Sequence, residues 1–177
     1  MQIKALITAL SVLVVLSAAF LSSAAELESR YAKIAYETEE DLRKFNDGVR
    51  LRSLSYLARN RNNLTVADEV GTKVDVLTER VKTVLEMSPK TLKFTIVLLP
   101  SESDVRRVYR ARYGKSADFI AFYAPKEGTV YLSVDDVTLH VLAHELAHVV
   151  IDHYLGVSPS SKIHEVLAQY AEEHLED

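Results

Sequence analysis

One predicted helix, which ends at Leu155, limits the possible folds of this chain more than any other segment. It is long and apolar, yet it carries titratable groups in its middle. The helix is predicted to start at a cap on Asp135 or Asp136 and to stop at Gly156. Residues 144–148 at its centre read H-E-L-A-H, and apolar residues flank them on both sides: Leu139, Val141, Leu142, Val149, Val150 and Ile151. Burying two imidazoles and a carboxylate is costly unless they have partners. The helix therefore predicts a site where these groups bind something.

The spacing within this segment predicts a metal site. Four residues correspond to about 400° of helix rotation, so His144 and His148 project from one face, one turn apart. Two imidazoles placed in this way can bind one tetrahedral ion. Glu145 lies at the flank of the same face, where a carboxylate can take a proton from a metal-activated water. The pattern thus indicates two ligands and a general base.

A third protein ligand is needed for an open catalytic site, and three residues compete for that role. We favour Glu165, because it lies in the first turn of the last predicted helix, where the helix dipole keeps a carboxylate ionised. The turn at 156–161 allows that helix to double back along the first one. Its neighbour His164 is the competitor. His153 is interpreted as a helix-end histidine, and His140 as a residue at the rim of the cleft.

Composition narrows the chemistry and the location. The chain has no cysteine, so a metal must be held by histidines and carboxylates, and a thiol nucleophile is excluded. The net charge of −4 argues against a nucleic-acid partner. Residues 1–25 contain Lys4, an apolar run and small residues before Glu26, which is typical of a secretory signal peptide or a retained signal-anchor. The rest of the chain is predicted to be secreted or anchored outside the cytoplasm, with residues 1–25 as a possible membrane tether.

The remaining pattern predicts an α+β fold with a small mixed or antiparallel sheet. Residues 26–64 are expected to form a helical N-terminal extension that begins with an amphipathic helix over 27–45. Residues 65–177 are expected to form the main domain. Its predicted elements are a helix over 65–87, a strand over 91–99, a helix over 101–113, strands over 118–123 and 129–134, and the two helices of the metal site.

Two segments carry a family resemblance. The H-E-L-A-H segment, followed by E-V-L-A-Q-Y over 165–170, resembles the gluzincin metallopeptidases, and more closely the small peptidase MA-like, or minigluzincin, group. The resemblance covers about residue 74 to the C-terminus. It implies a zincin-like fold, one zinc ion bound by His144, His148 and Glu165, and Glu145 as the general base. It also implies that the strand over 129–134 is the edge strand that pairs with an extended peptide.

The chain departs from this family at Gln169, where an acidic residue often orients a ligand histidine. The leading expectation is an extracytoplasmic zinc peptidase that acts on peptides or proteins. One alternative is a non-catalytic, zinc-stabilised module that binds peptides or cell-wall partners. Another is a latent peptidase that is blocked by one of its own termini.

Overall fold

The computed structural model describes residues 25–59 and 64–177. The predicted signal segment therefore lies, except for Ala25, outside the described residues and stays a prediction. None of the helices formed by the described residues has the length and apolar character that a membrane span requires.

The described residues form an α+β fold around one five-stranded sheet. The strands are β1 (Ala25–Glu28), β2 (Ala32–Tyr36), β3 (Phe94–Leu99), β4 (Ala121–Ala124) and β5 (Thr129–Ser133). The helices are α1 (Glu39–Gly48), α2 (Val66–Val84), α3 (Glu102–Tyr113), α4 (Leu139–Leu155) and α5 (Ser161–Glu173), with 3₁₀ turns at Arg52–Ala58 and Pro125–Glu127. The strand order is β1-β2-β3-β5-β4. The β2–β3 and β3–β5 pairs are parallel and the two outer pairs are antiparallel, so the predicted mixed sheet is confirmed.

Alternating side chains of the sheet belong to two separate cores. Ile96, Leu98 and Leu132 point into the larger core, which also contains buried residues of α1, α2, α4 and α5. Phe122 and Tyr131 point to the other face, where they pack with Val105 of α3. The two helices of the predicted metal site therefore share one face of the sheet with α1 and α2.

Local sequence signals explain where the main helices begin and end. The Thr65 hydroxyl accepts from the Asp68 backbone N–H while the Asp68 carboxylate accepts from the Thr65 N–H, which is the predicted cap of α2. Helix α4 ends at Gly156, whose φ of 67° suits glycine. The predicted cap of this helix at Asp135 or Asp136 is wrong. Thr138 is the N-cap, and its hydroxyl accepts from the Val141 N–H. Asp135 and Asp136 are used elsewhere, the first by Lys44 and the second by Ser133.

The prediction of a helix over 27–45 is wrong for its first half. Ala32, Ile34 and Tyr36 are buried while Lys33 between them is exposed, which is the two-residue period of a strand. The helical part begins only at Glu39, after the Thr38 cap. The Asp75 carboxylate of α2 accepts from the backbone N–H groups of Arg30 and Tyr31, at 3.2 and 3.3 Å. Strands β1 and β2 are thereby tied to α2, and β2 pairs with β3 inside the sheet, so this segment is not a purely helical extension.

The prediction of an edge strand at 129–134 is also wrong. Strand β5 lies between β3 and β4, and the edge on this side of the sheet is β4. Both neighbours supply partners for the β5 backbone, whereas β4 has no second strand beside it among residues 25–59 and 64–177.

Candidate metal centre

Helices α4 and α5 run antiparallel, and this arrangement brings the predicted ligands together. Side chains near the end of α4 meet the start of α5, as in the pair Asp152–His164, while His140 near the start of α4 meets Glu176 beyond the end of α5. Three small residues allow the close approach and are fully buried: Ala143, Ala147 and Ala168. The turn at 156–160 therefore doubles back, which the sequence of this segment allowed.

The nitrogen and oxygen atoms of three side chains converge at this contact. The Nε2 atoms of His144 and His148 lie 3.2 Å apart. The Glu165 carboxylate lies 3.3 Å from the first and 3.7 Å from the second. These three residues form a group that could hold a metal ion. Ligand atoms around a tetrahedral zinc ion are about 3.3 Å apart, given bonds of about 2.0–2.1 Å, so the three donors fit such an ion.

A carboxylate that the sequence analysis did not identify supports the first of these histidines. The Nδ1 atom of His144 lies 3.0 Å from Oε2 of Glu172. Position 169 was where an acidic residue was expected beside a ligand histidine, but Gln169 carries no charge. The carboxylate beside His144 belongs to Glu172 instead. Glu172 comes seven residues after Glu165, which places both carboxylates on nearly the same face of α5. This spacing was the signal that could have identified Glu172.

The second histidine is supported by a different pair of residues. The Nδ1 atom of His148 lies 2.6 Å from Nδ1 of His164, and Nε2 of His164 lies 2.9 Å from Asp152. The planes of the two imidazole rings are inclined by only 23°, with centroids 4.7 Å apart, so the two nitrogens meet edge to edge. His164 therefore contacts the outer nitrogen of His148 and lies outside the group of converging donors. Within the described residues, the hydrogen bonds of His153 go to the backbone carbonyls of Val149 and Lys93.

Glu145 is buried beside the three converging residues, with only 7% of its surface exposed. The Tyr123 backbone N–H hydrogen-bonds its carboxylate, while Oε2 has no partner among the residues that the structure describes. Burial, together with the negative charge of Glu165, raises the pKa of Glu145 to about 8. Burial and the neighbouring His144 lower the pKa of His148 to about 3, so its imidazole is neutral and can bind a metal. A cation held by the three donors would favour the ionised form of Glu145.

The site opens into a cleft of 580 Å³ that lies along the free edge of β4. Ser133 donates its N–H to the Ile120 carbonyl, and hydrogen-bonded pairs alternate in an antiparallel ladder. The backbone groups of Ala121 and Tyr123 therefore point away from β5, towards the cleft. The Tyr123 N–H is bound to Glu145, whereas the Ala121 backbone faces the open part. One wall is aromatic and includes Tyr109 and Phe119.

The structure thus brings together all four predicted site residues, His144, Glu145, His148 and Glu165, and separates them from His153. It adds three residues that sequence reasoning did not assign, namely Asp152, Glu172 and the backbone of Tyr123. Asp152 lies four residues after His148 on the same face of α4, and that spacing was its only signal. Comparisons with protein-family models, with curated proteins and with solved structures found no match to this chain.

Proposed function

We propose that this protein is a zinc-dependent, gluzincin-like peptidase that acts outside the cytoplasm. The observation that carries the proposal is one arrangement of side chains: three donors converge beside a buried carboxylate, one oxygen of which has no partner in the described part of the chain. The choice of zinc rests on the two imidazoles, one carboxylate and the spacing of their donor atoms. The extracytoplasmic location rests on the composition of residues 1–25.

Each part of the site has a task in peptide hydrolysis. A bound zinc ion would supply a Lewis acid for the scissile carbonyl and lower the pKa of a water molecule. The free Oε2 of Glu145 accepts the proton of that water and passes it to the leaving amine. The Tyr123 N–H hydrogen-bonds the Glu145 carboxylate and so helps to hold it in the site. His144, His148 and Glu165 hold the metal, and Glu172 orients the first of them.

The free edge of β4 accounts for a peptide substrate. An extended peptide pairs with the exposed backbone of an edge strand, and side-chain pockets then provide specificity. The Ala121 N–H and C=O face the cleft, at the position where such a peptide would pass the metal donors. The aromatic wall formed by Tyr109 and Phe119 favours substrates with a large apolar side chain next to the cleaved bond.

Two observations bear on the alternatives. The lack of a charge at Gln169 favours a non-catalytic module, but the Glu172 carboxylate lies beside His144 and supplies that charge. No residue of the described segments 25–59 and 64–108 lines the cleft, so the described part of the N-terminal region supplies no block.

The test uses the full-length, zinc-loaded protein and a library of internally quenched peptides. Glu145→Gln should keep one zinc ion and lose hydrolysis by about two to four orders of magnitude. Glu173→Gln makes the same chemical change outside the cleft and should keep full activity. A wild-type protein that binds zinc but cleaves no peptide would replace the peptidase with the binding module. Full activity in Glu145→Gln would remove Glu145 from the mechanism.

A further inference from the structure

We propose that Asp152 and His164 are positioning residues for the metal ligand His148, and that they act by fixing which ring nitrogen of His148 carries its hydrogen. The inference deepens the proposed function and rests on the same metal site. It concerns the chain's own hydrogen bonds, so it can be measured in the metal-free protein as well.

The three side chains form a continuous and largely buried series. Asp152 Oδ1 lies 2.9 Å from His164 Nε2, and His164 Nδ1 lies 2.6 Å from His148 Nδ1. The exposed fraction of the side chain is 14% for Asp152, 11% for His164 and 15% for His148. Water therefore has little access to these contacts, and the protein itself must supply both donors and acceptors.

The order of donors follows from the carboxylate at the end of the series. An ionised Asp152 can only accept, so His164 must donate from Nε2–H. When His164 is neutral, this leaves a lone pair on its Nδ1, which makes that atom an acceptor. In that state the contact of 2.6 Å has Nδ1 of His148 as its donor. Nε2 of His148 is left with a lone pair, directed towards His144 and Glu165.

This is the tautomer that metal binding requires, and it is opposite to the one that free histidine favours in water. A ligand histidine almost always donates its other ring N–H to a group that sets its orientation. Glu172 performs this task directly for His144, because its carboxylate accepts from Nδ1. The Asp152 carboxylate acts on His148 indirectly, through the imidazole of His164.

As a consequence, the Nε2 atoms of His144 and His148 each carry a lone pair. These two atoms lie 3.2 Å apart and their lone pairs face each other. Neither nitrogen has a hydrogen to share with the other, so the contact is repulsive until a cation lies between them. The supporting residues therefore prepare the site for a cation before one arrives, at some cost in the stability of the metal-free protein.

A double-mutant cycle separates this mechanism from a simple effect of charge. His164→Asn places an amide oxygen near the former Nδ1 and so keeps an acceptor for His148, but it removes the link to Asp152. His164→Leu removes both. Asp152→Ala is made in the wild-type and in the His164→Asn backgrounds. His153→Ala is the matched control, because His153 follows Asp152 directly and its hydrogen bonds to the described residues go to backbone carbonyls.

Zinc affinity of the full-length variants is measured by competition with a chromophoric chelator, with metal-free melting temperatures as a check on folding. His164→Leu and Asp152→Ala should each weaken zinc binding by about 10–100-fold, the usual effect of losing such a partner. His164→Asn should stay within a few-fold of wild type, and there Asp152→Ala should have no further effect. Equal losses from Asp152→Ala in both backgrounds would show that its charge acts on the ion directly and would overturn the proposal.

The tautomer itself is read from long-range ¹H–¹⁵N correlation spectra of the metal-free protein labelled at histidine. His148 should show a protonated Nδ1 and an unprotonated Nε2, and His164 the reverse. In Asp152→Ala this preference should be lost. A protonated Nε2 on His148 in the wild-type protein would refute the proposal whether or not the variants fold. Failure of the wild type to bind zinc would instead overturn the proposed function, while the tautomer would still be measurable.

Discussion

Gly48 offers a quantitative test of the packing that supports the metal helix. A Cβ atom added at Gly48, the last residue of α1, would lie 2.5 Å from the backbone carbonyl oxygen of Val137 and 3.0 Å from its Cγ1. Val137 directly precedes Thr138, the N-cap of α4. The nearer atom belongs to the backbone and cannot rotate away, so Gly48→Ala must displace one of the two elements.

The size of the effect follows from two opposing contributions. Overpacking of this kind costs about 1–3 kcal/mol. Replacing glycine by alanine inside a helix gains at most about 1 kcal/mol, and less at a terminal position. The free energy of unfolding should therefore fall by about 1–2 kcal/mol. For a domain of about 150 residues this lowers the melting temperature by about 2–8 °C.

The matched control is the same substitution at Gly71, in the interior of α2. A Cβ atom there would lie 3.6 Å from Ser29 Cβ and 4.0 Å from Leu27 Cδ1, which are ordinary contacts. Gly71→Ala should therefore raise the free energy of unfolding by up to about 1 kcal/mol. Both variants are measured by thermal and urea unfolding. A Gly48→Ala protein as stable as wild type, or a Gly71→Ala protein that is equally destabilised, would refute the reasoning.

The remaining predictions concern the third ligand and the dependence of stability on pH. Glu165→Ala should abolish stoichiometric zinc binding and the difference in melting temperature with and without chelator, because metal binding is linked to folding; retained binding would remove Glu165 from the ligand set. The Arg112 guanidinium, with the Tyr131 hydroxyl, holds the pKa of Glu127 below its ordinary value of 4.5. This ion pair contributes stability that is present above pH 4.5 and is lost as pH falls through the lower folded pKa. Glu127→Gln and Arg112→Gln should both show a shallower fall in melting temperature below that pH, and a fall as steep as that of wild type would contradict the assignment.

Short-range patterns made part of this structure predictable. Helix α4 is a long periodic segment, so the placement of His144, Glu145 and His148 on it needed only the helical repeat. Glu165 needed one further assumption, that the turn at 156–160 reverses the chain, and the structure confirms it.

The errors came from features that depend on distant partners. Strand β2 has only five residues over which burial alternates. Read together with Leu42 and Phe45 of α1, its apolar residues give a spacing that resembles one face of a helix. The position of β5 inside the sheet depends on β4 and on β3, which lies about 35 residues away along the chain, and no local pattern encodes that choice. The contacts of His164 with both His148 and Asp152 likewise arise only when two helices pack together.

The order of the strands also determines how far the cleft lies from the N-terminal strand. Ala25 lies on β1, at one edge of the sheet, while the cleft runs along β4 at the other. Neighbouring strands are about 4.8 Å apart, so the two edges are separated by about 19 Å. Attachment of the protein to a bead or a sensor surface through Ala25 therefore leaves the cleft at the opposite edge of the sheet.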